Sequence, residues 1–130
     1  MDNDLEIKTL KDAIHVEKEN HTIVDYFLFD EYEIHFNTLP AHCFQEWHYH
    51  SKIEETLVIV EGTLTAHYKI NEQIITETAG VNDVIRVKAS LHTFANETNT
   101  PVRFIVFRFV PDGKNKQEII KQDKIIVEVK

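Results

Sequence analysis

Residues 47–62 read WHYHSKIEETLVIVEG, and this stretch holds the side chains best placed to do chemistry. His48 and His50 stand two apart, which on a β-strand puts both imidazoles on one face. Glu54 and Glu55 follow, ahead of an apolar run that ends at Gly62. Two imidazoles and a carboxylate aimed at one interior suit a divalent transition metal. Parity constrains the idea, because His50 and Glu55 are separated by an odd number of residues and an unbroken strand would send them to opposite faces. The chain must therefore turn within the polar segment Ser51 to Glu54. An inward Glu54 would bring Thr56, Val58 and Val60 with it, whereas an inward Glu55 would bring Leu57 and Ile59. Both sets suit a core, so parity leaves the choice open.

A further ligand is offered by His92, which opens a strand where His92, Phe94 and Asn96 share a face behind the turn Lys88-Ala89-Ser90. Three neutral imidazoles and one carboxylate around a divalent ion leave a site of charge about +1. Nitrogen-rich ligation points to Fe, Mn, Ni, Co, Cu or Zn, and away from Mg and Ca. On a six-coordinate ion such a set leaves positions free for water, substrate or dioxygen. A lone H-x-H pair is a weak signal, since strand histidines often sit half-buried with satisfied hydrogen bonds.

The elements that must carry these residues read as strands. Ile23 to Phe29 is rich in β-branched and aromatic residues, and Tyr32, Ile34 and Phe36 alternate with Glu33, His35 and Asn37, as in a strand with one buried face. After Pro40, turn signals recur at Glu61-Gly62, Asn71-Glu72, Gly80 to Asp83, Lys88 to Ser90, Asn96 to Pro101 and Pro111-Asp112-Gly113. Between them lie strand candidates at Thr56 to Val60, Leu64 to Ile70, Ile74 to Thr78, Val84 to Val87, Leu91 to Ala95 and Val102 to Val110. Thr9 to Val16 carries a weak helical pattern, Glu118 to Lys121 suggests a short helix or turn, and Ile125 to Val129 a last strand. Short strands with regular turns predict an all-β sandwich or barrel.

With 130 residues, 42% of them hydrophobic and 28% charged, the chain has the length and composition of one globular domain spanning 1–130. A formal net charge of −8 and the lack of a basic patch argue against nucleic acid and anionic membranes as partners. The single cysteine, Cys43, excludes an intrachain disulfide and makes a reducing, cytoplasmic setting the expectation. The acidic start MDNDLEIKTLKD does not read as a signal peptide, and no apolar run reaches the roughly 18 residues of a spanning helix.

HYHSKIEETLVIVEG resembles the first motif of the cupin superfamily: two histidines two apart, then a glutamate, then a glycine. In that register Thr56 to Glu61 separate the glutamate from Gly62, so the resemblance selects Glu55. GVNDVIRVKASLHTFAN, residues 80–96, resembles the second motif, with His92 and Asn96 at its histidine and asparagine. The likeness covers roughly residues 40–110, flanked by N-terminal strands at 22–37 and a C-terminal strand at 125–129. There are two departures: His42 stands where the family has a glycine, and Val87-Lys88-Ala89 replaces a turn rich in proline and glycine. The resemblance implies a double-stranded β-helix, the jelly-roll barrel, with a metal held inside near its open end by His48, His50, Glu55 and His92. It implies action on a small organic molecule, by a metal-dependent dioxygenase or isomerase, or alternatively a non-catalytic binding or sensing module. The metal would serve as Lewis acid and template, or activate dioxygen.

Trp47, Tyr68, Phe94, Asn96 and Arg108 are candidate pocket residues, with Asn96 also a candidate loop stabiliser. Arg103 and Arg108 have opposite parity, so at most one faces inward; an inward arginine there or at Arg86 would favour a carboxylate-bearing ligand. His42 or Glu46 could share the inward face of His48, while His15, His21, His35 and His67 read as surface residues. Cys43 reads as a small buried residue without reactive partners. A homodimer is expected, with the strands before Pro40 available to cover exposed edges.

Overall fold

A computed structural model describes residues 4–110 and 116–129. It has two packed antiparallel sheets. One holds β1 (Ile14–Glu17), β2 (Ile23–Leu28), β3 (Tyr32–Leu39), β10 (Val102–Phe109), β5 (Glu54–Glu61) and β8 (Val84–Arg86), side by side in that order. The other holds β11 (Lys124–Ile126), β4 (His48–His50), β9 (His92–Ala95), β6 (Leu64–Ile70) and β7 (Gln73–Ala79). This is the jelly-roll arrangement expected of an all-β cupin chain. A short helix, α1 (Lys116–Gln122), packs Ile120 against Ile53 and Val110 in a small satellite core. The predicted Pro111-Asp112-Gly113 turn lies outside the described residues.

The strand expectations hold to within a few residues, save at the N-terminus. Thr9 to Val16 is not helical: a single 3-10 turn at Leu10–Asp12 gives way to β1, which pairs with β2. Ile14 and Val16 are β-branched and find a neighbour in β2, so tertiary pairing overrides a weak helical period.

Between the sheets lies a core of Leu39, Leu57, Ile59, Leu64, Phe94, Val102, Phe104 and Val106, all nearly solvent-free. Cys43 is half-buried against it. Strand β3 inverts the sequence expectation. Glu33, His35, Asn37 and Leu39 face inward, whereas Tyr32, Ile34 and Phe36 face outward, Phe36 being 40% exposed. The outward aromatics pair among themselves, Phe27 with Phe36 and Tyr32 with Phe107. The interior is consequently apolar at the Leu39–Val102 end and polar at the Glu33–Arg108–Glu55 end, three residues that sit side by side across β3, β10 and β5.

The turns explain the two departures from the motif. His42 has φ +58° and Lys88 φ +57°, so both occupy the left-handed region that glycine adopts without strain. Gly62 has φ +80°, and a Cβ there would lie 2.7 Å from the Pro101 carbonyl oxygen, so this position requires glycine.

Candidate metal centre

His48 and His50 are the buried residues of β4, with the half-buried Tyr49 between them on the opposite face. His92 is the register partner of His48 across the β4–β9 pair. The imidazoles of His48, His50 and His92 are 3%, 1% and 2% exposed, and one ring nitrogen of each lies within 4.8 Å of the others. The structure thus gathers the three predicted histidines from two strands more than forty residues apart.

Backbone carbonyls fix two of the tautomers. His48 Nδ1 donates to the Glu46 carbonyl at 2.8 Å, and His92 Nδ1 donates to the Ser90 carbonyl at 2.9 Å. A carbonyl only accepts, so each Nδ1 carries its proton and each Nε2 presents a lone pair to the interior. His92 Nε2 and both nitrogens of His50 have no hydrogen-bond partner among the described residues, although they are buried. Leaving such groups without partners is costly, and carbonyl-anchored imidazoles around orphaned lone pairs are the arrangement that accepts a transition metal. Burial lowers the His48 pKa to about 3, with the neighbouring His92 adding to the effect, and burial also lowers that of His92. Both rings are therefore held neutral, as metal ligands must be.

Glu55 is 4% exposed and faces inward with Leu57 and Ile59, while Glu54 faces outward and pairs with Arg86. Glu55 Oε2 lies 3.2 Å from His50 Nε2, without hydrogen-bond geometry, and also takes a short charge-assisted hydrogen bond from Arg108 Nε. Burial alone would raise the Glu55 carboxyl, but the Arg108 guanidinium and His50 hold it well below the usual carboxylate range. The carboxylate stands at the edge of the histidine cluster, shared between His50 and Arg108.

The turn that parity demanded lies between β4 and β5, and a residue not singled out from the sequence holds it. Asp123 Oδ2 accepts the backbone N–H groups of Ser51, Lys52 and Ile53 at 2.9, 2.8 and 3.1 Å, and Oδ1 accepts the Ser51 hydroxyl. An aspartate seventy residues away gave no local signal.

His35 is the clearest correction. It is 2% exposed, not a surface residue, and its Nε2 lies 2.6 Å from Glu33 Oε2, with the Tyr26 ring packed edge-on. Burial lowers its pKa, against the raising effect of Glu33. Its alternation with Glu33, Asn37 and Leu39 was the one available signal, and it is legible only if a polar strand face is allowed to point inward.

A small, partly open cavity of about 20 Å³ adjoins the cluster, lined by His35, His48, Glu55, Phe94 and Arg108 together with Lys18 and Lys124. Of the candidate pocket residues, Phe94 and Arg108 reach it. Tyr68 lies instead on an open groove of about 700 Å³ that also touches His92 and Phe94, its hydroxyl donating to Glu77. Trp47 and Asn96 border a second outer groove. Asn96 stabilises a loop: its Nδ2 donates to the Leu39 and Thr100 carbonyls and its Oδ1 accepts from Thr98. Arg103 is exposed and Arg86 pairs with Glu54, so Arg108 is the inward arginine. His42 turns outward to Asn99, and His67 bonds Thr76 and Glu97 on the outer face.

Three solved structures share this architecture. The capsular polysaccharide assembling protein CapF from Staphylococcus aureus is 15% identical with a TM-score of 0.70, over 90% of this chain and 34% of that one. Oxalate decarboxylase from B. subtilis is 12% identical with a TM-score of 0.71, over 92% of this chain and 32% of that one. A sugar phosphate isomerase from Silicibacter pomeroyi, itself described as a cupin, is 15% identical with a TM-score of 0.65, over 80% of this chain and 75% of that one. At such identities the likeness is one of fold, and this chain spans only about a third of the CapF and oxalate decarboxylase chains. Comparison with curated proteins finds no match. The Cupin_2 family, described as the cupin domain, matches residues 35–108, more than half of the chain and the span that contains all four candidate ligands. This chain belongs to the cupin domain family.

Proposed function

We propose that the chain binds a divalent transition metal through His48, His50 and His92, with Glu55 as the fourth ligand, and acts on a small organic molecule as a metal-dependent dioxygenase or isomerase. The observation that carries the reading is the gathering of three buried imidazoles, of which His48 and His92 are anchored to carbonyls through Nδ1, while His92 Nε2 and both nitrogens of His50 lack partners among the described residues. A metal bound there would supply Lewis acidity or a centre for oxygen chemistry. The chain's own groups do the rest. The Glu46 and Ser90 carbonyls fix the Nδ1-protonated tautomer of two imidazoles, burial keeps those rings neutral, Arg108 keeps Glu55 ionised, and Phe94 packs against the His92 ring. Fe, Mn, Ni, Co, Cu and Zn all suit this donor set.

Metal content of the purified protein, measured against His50→Ala, tests the reading. The expected outcome is near-stoichiometric metal in the wild type and a large loss in the variant; equal, near-zero metal in both would sink it. One observation favours a non-catalytic binder: Glu33, Glu46 and Glu55 are each already paired, with His35, Lys124 and Arg108, which leaves none of them as a free base. Oxygen consumption by the Fe(II)-loaded protein with a panel of small acids, thiols and phenols separates the two readings.

A homodimer fits the outer face of the six-stranded sheet, where Phe36, Val58, Val60, Val84 and Phe107 are each at least 36% exposed. Light scattering showing a monomer at micromolar concentration would remove this part. Among the described residues no helix is long and apolar enough to cross a membrane, and the lone free cysteine suits a cytoplasmic setting.

A further inference from the structure

The cavity beside the histidine cluster is lined by three cations, Lys18, Lys124 and Arg108, and by one carboxylate, Glu55. The cations come from three separate parts of the chain. Lys18 follows β1, in a tight turn closed by backbone bonds to Thr22 and His21. Lys124 opens β11 directly opposite His50, and so shares its inward face. Arg108 lies on β10 between Glu33 and Glu55. No local motif joins these residues; only the packed barrel does.

Their pairing is uneven. Arg108 is held by Glu55, and Lys124 Nζ lies 3.3 Å from Glu46 Oε2. Lys18 is half-buried, yet among the described residues its ammonium makes no ion pair. A partly buried ammonium with no carboxylate in contact is costly, and the pKa of Lys18 is lowered first by burial and then by repulsion from Arg108, against the more distant Glu46 and Glu55. Burial and then Lys18 likewise lower the pKa of Lys124, so the two ammonium groups feel one another. Of the three cations, Lys18 is the one that no carboxylate contacts among the described residues.

The protein shows what chemistry these cations accept. The Glu46 carboxylate sits between Lys124 and Asn20, whose Nδ2 lies 3.1 and 3.2 Å from its two oxygens, and the Glu55 carboxylate sits on Arg108. Both cations that have found partners have taken planar carboxylates. The space itself holds about one water, so an incoming carboxylate would have to displace the Glu46 carboxylate from Lys124.

We propose that Lys18, Lys124 and Arg108 form a recognition site for the carboxylate of a small organic acid, bound next to His48, with Lys18 as its principal anchor. Glu46 is then an internal competitor that occupies Lys124 until the ligand arrives. This rests on the reading of the histidines as a metal centre, since it places the ligand's head group beside that ion, but the cations themselves need no metal to bind an anion.

The test uses the full chain, chelator-treated and Zn(II)-loaded, with sodium acetate as probe and chloride balancing ionic strength. Heat-unfolding midpoints across the titration give apparent affinities, with inorganic phosphate titrated in parallel. Lys18→Met, which keeps the aliphatic stem, should weaken acetate binding about tenfold or more in both forms, as befits loss of a charge-assisted contact. Lys18→Arg should retain most of the binding, and Glu46→Gln, which frees Lys124, should tighten it. Acetate affinity equal in wild type and Lys18→Met would overturn the proposal, and so would phosphate binding tighter than acetate with the same dependence on Lys18. Metal content of the same samples separates the two readings. Lys18-dependent acetate binding without metal uptake refutes the metal centre alone, whereas normal metal uptake with Lys18-independent acetate binding refutes the anion site alone.

Discussion

Replacing Arg108 with methionine probes the most heavily charged part of the interior. Arg108 is 16% exposed and Glu55 4% exposed, so neither charge has much water to fall back on. At a charge separation of about 4 Å and an effective dielectric near 20, their attraction is about 4 kcal/mol. Removing one partner of such a buried pair costs about 3–5 kcal/mol, because the other charge is left uncompensated. His50 would be the main remaining partner of Glu55, whose carboxyl would then titrate far closer to neutrality. For a chain of 130 residues that loss corresponds to a fall in Tm of roughly 10–20 °C. Calorimetry in chelator should show this fall. A saturating transition metal should then stabilise Arg108→Met by more than it stabilises the wild type, because the ion takes over the charge of a carboxylate no longer shared. The double variant Glu55→Gln/Arg108→Met should recover much of the loss. A fall of under about 1 kcal/mol in chelator, or equal metal stabilisation in wild type and Arg108→Met, would refute the view that Glu55 is shared between guanidinium and metal.

Three further outcomes are expected. Lys88→Gly, which relieves an exposed side chain at φ +57°, should stabilise the protein by about 0.5–1 kcal/mol in urea unfolding. Asp123→Ala strips the acceptor from three backbone N–H groups in the β4–β5 turn and should cost about 2–4 kcal/mol while lowering metal content, since that turn sets Glu55 against His50. The metal-free protein should lose stability in acid. The His48 pKa is lowered in the fold, so the unfolded chain takes up the extra proton as pH falls from about 6.5 towards 3, and the loss reaches about 2 kcal/mol by pH 5. Glu55 and Asp123, whose carboxyls are held low, add to the loss at still lower pH, and urea midpoints at pH 7.5 and 5 read the His48 part together with those of His35 and His92, whose pKa values burial also lowers.

Much of the site was legible in the chain because strand periodicity is local. His48 and His50 two apart, and Glu55 in step with Leu57 and Ile59, follow from a pleat that alternates sides at every residue. Gly62 and the regular turns followed from the φ values that short connections demand, and the family's spacing chose Glu55 over Glu54. The same local logic misjudged β3. Alternation shows that Glu33, His35 and Asn37 share a face, but not which side of the sheet that face occupies.

Only the tertiary structure could decide that side. Glu33 and His35 can point inward because they pair with each other, with Arg108 on the neighbouring strand, and because the aromatic face they displace finds partners among outward aromatics. The Asp123 clamp and the meeting of Lys18, Lys124 and Arg108 are likewise products of packing, since each joins segments that are remote in sequence and share no motif. The sequence by itself determined which residues are chemically able to hold a metal and which lie on a common strand face. Packing decided which charges surround that cluster, because burial and long-range pairing set the energy of a charge and neither is written in any short stretch of the chain.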